Sequence, residues 1–511
     1  MDTVIVIDEA GPRRLIGRAS IVAAGTVYQQ GISFLSGLIV ARVIGASDYG
    51  VFNLARNLVD LTAIVTRMGL EIGLQRLFGE SNAAQDRTSH LVVLRRVRLL
   101  ASTFALVPVV ALALGLAQVL EAKFYHYPHF AEILLYLALA LPFLTDIAVL
   151  GGAYRGILKL HPSVIAESIL LPTARLAVIL ILFLAGWRLW AVVVGTALGS
   201  LMASAFLAMR ARSDFPEGEP ATPHSWVDAF RVMRYSAVLA VGVLVGTLTA
   251  STDLLMLGRF ATAQDLGQYS LVKMLLMLMG LFGPAFTQGL GALVAERHAR
   301  GDFHGLVHVM SLSARLVTLV TLPIFAIFLF WGAQLTPLFG ESFATSQAVI
   351  SWLAVSQFGF MIFGHSGWAL SMTGKHFLEL KILSVGLVIA ILLCWLAVPR
   401  YGQLGAAIAT CTSMTFANLA RLWFVRRYIG AFPFGRDVIV ITIAGIALAW
   451  VCHELVAQLS LPSLWNTVFG IGGFVLAYAV GCWTRLLTLA EKGGIRGAVG
   501  SAARILFSRG N

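Results

Sequence analysis

Apolar runs separated by short polar connections recur from Ser20 to Arg485. A run of ~20 mostly apolar residues is what one α-helix needs to cross a bilayer core ~30 Å thick. Read this way, the spans are residues 20–42, 49–72, 99–120, 130–152, 163–186, 189–209, 235–258, 267–295, 307–331, 346–370, 379–399, 403–424, 437–456 and 463–484. The pattern predicts an all-α integral membrane protein of about fourteen transmembrane helices. The longest polar connection, Met209 to Arg234, contains DFPEGEPATPHS, and its prolines and acidic residues read as a loop. The expected organisation is a tail over 1–19, a six-helix bundle over 20–209, a loop over 210–234, a second six-helix bundle over 235–424, two further helices over 425–484 and a basic tail over 485–511.

Composition agrees with lipid as the solvent: 58% of residues are hydrophobic and 12% charged, where soluble domains are about half apolar and a quarter charged. A net charge of +12 raises nucleic acid as a partner. The basic residues, however, lie beside the ends of apolar runs, where orientation signals belong, so no nucleic-acid partner is expected. With both termini and the even-numbered loops on one side, that side takes most of the 37 Lys and Arg, including Arg95, Arg96, Arg98, Arg426 and Arg427. The other side's loops hold Arg42, Lys123, Arg188, Arg259 and Arg400. The positive-inside rule makes the rich side cytoplasmic and places both termini there. The run after Arg13 to Arg18 lacks a small-residue cleavage site and reads as a retained first helix. Cys394, Cys411, Cys452 and Cys482 sit inside apolar runs with no metal-ligand or disulfide spacing, and read as packing residues. The tail after Leu486 is basic and is expected along the cytoplasmic lipid surface.

An internal repeat is visible. ARVIGASDYGVFNLAR (Ala41 to Arg56) aligns with GRFATAQDLGQYSLVK (Gly258 to Lys273), matching Arg42 with Arg259, Asp48 with Asp265, Gly50 with Gly267 and Leu54 with Leu271. Arg56 is matched by the similar Lys273. The copies lie six predicted helices apart, so both halves cross the membrane in the same sense, an arrangement secondary transporters use. The motif itself reads as a tight turn in which Asp48 or Asp265 caps the next helix and Gly50 or Gly267 permits close packing.

GASDYGVFNLA, and DLLMLGRFATAQDLGQYSLVK at predicted helices seven and eight, resemble the polysaccharide-transporter, O-antigen flippase branch of the multidrug/oligosaccharidyl-lipid/polysaccharide exporter superfamily. The resemblance implies two six-helix bundles in a V around a central cavity, with two further C-terminal helices. It implies a flippase that moves an undecaprenyl-diphosphate-linked oligosaccharide outward across the bacterial cytoplasmic membrane for surface or exopolysaccharide synthesis. Membrane lipids, a polysaccharide polymerase and glycosyltransferases are the partners such a role implies, with coupling to protons, sodium or the membrane potential.

An ionisable residue at membrane depth is costly unless paired or hydrated, so each is a functional candidate. Arg56 with Asp60, and Arg67 with Glu71, stand at i and i+4, where local pairs neutralise them. Lys273 and Arg315 have no carboxylate at i±4. Arg56 and Lys273, equivalent in the repeat, are expected to face each other across the cavity about 8 Å below the outer surface; snorkelling to the interface is the alternative. Basic residues in the second and eighth helices of peptidoglycan-precursor flippases support that role, whereas the first helix here offers Gln29 and Gln30 instead of an arginine. The expected site is therefore Arg56, Lys273 and Arg315 on the diphosphate, with Gln29, Gln30 and Asn57 lining a hydrated sugar cavity. Asp253 and Asp60 are candidates for ion coupling, Asp253 alternatively for an ion pair with a neighbouring helix. Glu167 and Arg175, bracketing Pro172, are assigned to packing.

GLFGPAFTQGLG in the eighth helix predicts a kink near Gly283 and Pro284, either fixed or gating. The stripes Gly195, Gly199, Ala203 and Gly242, Gly246, Ala250 predict close helix contacts. Two other functions compete: a cation-coupled drug antiporter of the same superfamily, which favours carboxylates and aromatics in the cavity, and a membrane polysaccharide polymerase or ligase. The latter needs a sizeable external loop or clustered catalytic groups, and the densest external polar cluster is Lys123, His126 and His129. No metal or cofactor pattern appears, and Thr373-Gly374-Lys375 lacks the glycine-rich lead of a nucleotide-binding loop.

Overall fold

The computed structural model describes residues 10–83, 90–215, 225–281, 297, 300–429, 432, 434–459 and 462–486. Helices dominate, and no strand occurs among the described residues. In hydrocarbon, backbone groups must find partners inside their own segment, which helices provide. In chain order the helices are α1 (Ala10–Arg67), α2 (Leu70–Ala83), α3 (His90–Ala111), α4 (Ala117–Lys123), α5 (Phe130–Ala138), α6 (Leu141–Gly156), α7 (Leu160–Val164), α8 (Leu171–Leu184), α9 (Leu189–Asp214), α10 (Ser225–Phe260), α11 (Ala263–Gly280), α12 (Phe303–Leu335), α13 (Gln347–Phe363), α14 (His365–Met372), α15 (His376–Ile429), α16 (Arg436–Ala457) and α17 (Ser463–Gly481).

Ten segments among the described residues are long and apolar enough to cross a membrane. Two of them, Ala24–Arg67 with 44 residues and His376–Tyr428 with 53, have about twice the length one crossing needs. Each is broken at a glycine with positive φ, Gly45 (φ 81°) and Gly402 (φ 54°), a conformation that a side chain disfavours. Each segment is therefore two helices joined at a glycine. The count of fourteen remains an expectation from hydropathy. Gly283, Pro284, residues 216–224 of the expected inter-bundle loop and the tail after Leu486 lie outside the described residues.

The repeat becomes a contact. A Cβ on Gly50 would overlap the Ala263 carbonyl and the Gly267 amide, and one on Gly267 would overlap the Ala46 carbonyl. The two copies thus cross backbone to backbone at their equivalent glycines. Of the two candidate caps, Asp265 caps α11: Thr262 Oγ1 accepts from its amide at 3.1 Å, and its carboxylate accepts from the Thr262 amide at 3.2 Å. This reciprocal pair satisfies two donors that a helix start leaves open. At the same end Tyr127 donates its hydroxyl to the Ala261 carbonyl at 2.8 Å, and Arg259 donates to the Phe124 carbonyl at 3.2 Å. Nineteen positions along from Gly50, Gly69 lies against the Ser236 carbonyl of α10, 2.7 Å from an ideal Cβ. The first helices therefore touch the second half of the chain at two separate places, Gly50 and Gly69.

The small-residue stripes divide. Gly195 and Gly199 of α9 lie against Ile179 and the backbone of Arg175 on α8, as a close-contact stripe requires. Gly242 and Gly246 have nothing within 4 Å of a Cβ. Those two glycines make no close helix contact among the described residues.

Candidate functional site

A cavity of about 400 Å³ lies between α1, α8, α10, α11, α13 and α15. Six residues expected in the site line it: Gln30, Arg56, Asn57, Asp60, Asp253 and Lys273. Gln29 and Arg315 are not among its lining residues. Adjacent helical residues point about 100° apart, so Gln30 takes the cavity face and Gln29 does not. Arg315 stands on α12, which packs on α13 and α16, and its Nε is buried within that packing.

Lys273 departs from expectation in its partner. Its Nζ lies 2.8 Å from Asp253 Oδ1 and 3.0 Å from Oδ2, and donates to the Ala250 carbonyl at 2.8 Å. The carboxylate comes from α10, across the turn that joins it to α11, which a test confined to one helix cannot detect. Asp253 is 1% exposed. It also accepts from the Tyr269 hydroxyl at 2.8 Å, the Thr410 hydroxyl at 3.2 Å and the Leu254 amide at 2.7 Å. Its geometry is that of an ion pair between neighbouring helices, one of the two roles open to it from the sequence.

Arg56 and Asp60 pair more loosely, 3.6 Å apart on one helix with both side chains partly exposed. Arg67 and Glu71 stand at 3.8 Å. Asn57 of α1 donates to Ser251 Oγ of α10 at 3.1 Å. Asp146 is an internal pin, accepting from Arg98 at 2.6 and 3.0 Å and from Ser204 at 2.7 Å.

Arg175, expected to settle packing, does so through its backbone against Gly195 and Gly199 of α9, and it also reaches the cavity. Glu167 does not share a role with it; that carboxylate takes Arg155 at 3.1 Å from the preceding helix. Arg175 lines the cavity, and its Nε is buried without a hydrogen-bond partner. Like Lys273, it has no carboxylate one helical turn away: positions 171, 172, 178 and 179 are Leu, Pro, Val and Ile. Gln357 and Thr410 also line the cavity, and nothing in their local sequence marks them.

The lining mixes Phe, Leu, Val and Met side chains with amides, hydroxyls, three cations and two carboxylates. Such a surface takes a ligand with an apolar part, a polar uncharged part and an anionic group. The described residues include no cluster of three or more His, Cys, Asp and Glu that could hold a metal ion.

A family model described as polysaccharide biosynthesis protein matches residues 17–290, more than half of the 511. The chain belongs to this family. The polysaccharide biosynthesis model covers the first half and the start of the second, and a MatE model matches residues 239–396. Over 471 residues the chain is 22% identical to the probable low-salt glycan biosynthesis flippase Agl15 of Haloferax volcanii, covering 91% of this chain and 94% of that one. Among solved structures, the lipid II flippase MurJ in an inward closed conformation superposes with a TM-score of 0.72 at 11% identity, over 91% of this chain and 99% of that one. An inward-facing multidrug resistance MATE family transporter of the MOP superfamily superposes at 0.65 with 13% identity, over 81% and 98%. This polysaccharide biosynthesis protein therefore has the fold of that superfamily, as its two motif stretches led one to expect, and it is a multi-pass membrane protein.

Proposed function

We propose that the protein is a flippase for a polyprenyl-diphosphate-linked oligosaccharide, acting by alternating access in the synthesis of a surface or exported glycan. The observation that carries this reading is the cavity between the two halves. Its cations suit a diphosphate, its amides and hydroxyls suit sugars, and its apolar positions suit the first isoprene units. The described names of the Haloferax relative and of MurJ, a glycan flippase and a lipid II flippase, point to the same substrate class. In this reading the protein moves its substrate without making or breaking covalent bonds, the membrane is the bacterial cytoplasmic one, and both termini face the cytoplasm.

Alternating access is the motion this reading requires, and two contacts between the halves bear on it. In this reading the Gly50–Gly267 crossing and the Gly69–Ser236 approach act as the two closures and release in turn. Asp253 takes part in coupling only when Lys273 leaves it, because its oxygens are already occupied by four donor groups.

Deletion of the gene tests the reading. Undecaprenyl-diphosphate oligosaccharide is expected to accumulate on the cytoplasmic leaflet. Unchanged lipid-linked pools together with raised sensitivity to cationic drugs would instead select the antiporter.

A further inference from the structure

The repeat makes Arg56 and Lys273 equivalent in sequence, yet their electrostatic situations differ. Lys273 has three N–H donors, and they meet Asp253 Oδ1, Asp253 Oδ2 and the Ala250 carbonyl. The pair Lys273–Asp253 is therefore closed and neutral. Arg56 meets Asp60 only at 3.6 Å, too long for a hydrogen bond, with 37% and 53% of the two side chains exposed; a pair of that kind holds weakly. The cavity's third cation, Arg175, makes no ion pair among the described residues. The charges of Arg56 and Asp60 act on it electrostatically.

With two pairs cancelling, Arg175 carries the net charge of the cavity wall. A guanidinium turned toward a cavity with its Nε buried and unbonded is costly unless an acceptor arrives. Its planar fork suits a phosphate, whose oxygens accept two parallel hydrogen bonds. The local structure holds it in that position. A π-helical turn over Ile165–Leu170 precedes α8, with Pro172 in the first turn. An ideal Cβ on Gly199 would stand 2.9 Å from the Arg175 Cβ and 3.0 Å from its Cα and backbone nitrogen. The missing side chain at Gly199 on α9 thus leaves room for the base of Arg175, whose side chain lines the cavity.

We infer that Arg175 anchors the diphosphate, which sits asymmetrically on the wall formed by Arg56 and Arg175 of the first half, with the Lys273–Asp253 pair opposite it. The inference rests on the lipid-diphosphate reading proposed above. It replaces a symmetric clamp by Arg56 and Lys273.

The test is binding of farnesyl diphosphate and of farnesol to the purified full-length protein in detergent. Wild type is expected to prefer the diphosphate. Arg175→Gln should weaken farnesyl diphosphate binding by about tenfold or more, the loss equivalent to ~1.4 kcal/mol, and leave farnesol binding in place. It should lose more than the double variant Lys273→Met/Asp253→Asn. A loss below about fivefold, or a larger loss in the double variant, overturns the asymmetric site. If Arg175→Gln does not fold, Arg175→Lys decides. That variant keeps the charge without the fork, so weakened diphosphate binding supports the anchor and unchanged binding overturns it. Equal binding of farnesyl diphosphate and farnesol by wild type would sink the diphosphate reading itself.

Discussion

Gly50 and Gly267, equivalent residues of the internal repeat, touch each other at one end of the cavity, and neither position has room for a Cβ. Gly50→Ala and Gly267→Ala are therefore expected to force this end apart, with an overpacking cost of about 1–3 kcal/mol. The readout is maleimide labelling of an Asn53→Cys variant in a background without the four native cysteines. Labelling should accelerate in either glycine variant. Gly31→Ala, where nothing lies within 4 Å of a Cβ, should leave it unchanged. Equal rates in all three would show that the crossing does not close the cavity.

The Lys273–Asp253 pair predicts strong coupling. Removing one partner strands a charge that the other no longer balances. Because Lys273 is 32% exposed on its side chain, the expected single-variant cost is about 1–3 kcal/mol rather than the larger value for a fully buried pair. Thermal unfolding in detergent should show Lys273→Met and Asp253→Asn each more destabilised than the double variant. Additive losses would contradict the pair.

Asp146 should matter for stability and not for the ligand. Arg98 and Ser204 converge on its carboxylate, away from the cavity lining. Asp146→Ala is expected to cost about 2–3 kcal/mol, allowing for the partial exposure of Arg98. Farnesyl diphosphate affinity measured on the folded fraction should stay within about twofold of wild type. A selective loss of affinity at unchanged melting temperature would reverse the assignment.

Tyr127, in the connection between α4 and α5, gives a pH prediction. Burial pushes its phenol up to about 12, with Asp265 and Tyr125 adding to the shift. A raised pKa means the neutral, donating form is fully present below the ordinary tyrosine value of about 10 and is lost as pH rises through the shifted one. The hydrogen bond to Ala261 should hold unchanged across roughly pH 6 to 9. Tyr127→Phe should speed labelling at Asn53→Cys by a factor that stays constant over that range. A pH-dependent factor would show that another group governs this contact.

The fold was legible because its signal is long-range and simple. Runs of apolar residues mark helices, and Asp48, Gly50 and Arg56 recur as Asp265, Gly267 and Lys273. The same repeat located the cavity, where Arg56, Asn57, Asp60, Asp253 and Lys273 gather. Pairing within one helix was legible, as at Arg56 with Asp60 and Arg67 with Glu71; pairing between helices was not, since it depends on neighbours remote in sequence. Lys273 looked free because its carboxylate stands on the preceding helix. Arg175 reads with Glu167 as a packing residue because the two bracket Pro172, whereas Glu167 turns to Arg155 and Arg175 to the cavity. Arg315 passed the same local test as Lys273, yet α12 carries it away from the cavity lining. Two glycine stripes look alike in sequence, but only Gly195 and Gly199 meet a neighbouring helix closely.

Movement of a diphosphate-linked lipid glycan across a bilayer is the central claim, and reconstitution measures it most directly. Proteoliposomes holding the purified protein and a nitrobenzoxadiazole-labelled polyprenyl-diphosphate oligosaccharide are treated with dithionite, which quenches only the outer leaflet. Without protein about half of the fluorescence stays protected; with the protein, protection should fall toward zero on a timescale of minutes, set by conformational exchange rather than by the far slower unassisted passage of a charged headgroup. Arg175→Gln should restore protection. Persistent protection of half the signal with active wild-type protein, alongside exchange of a cationic dye for protons, would contradict the account.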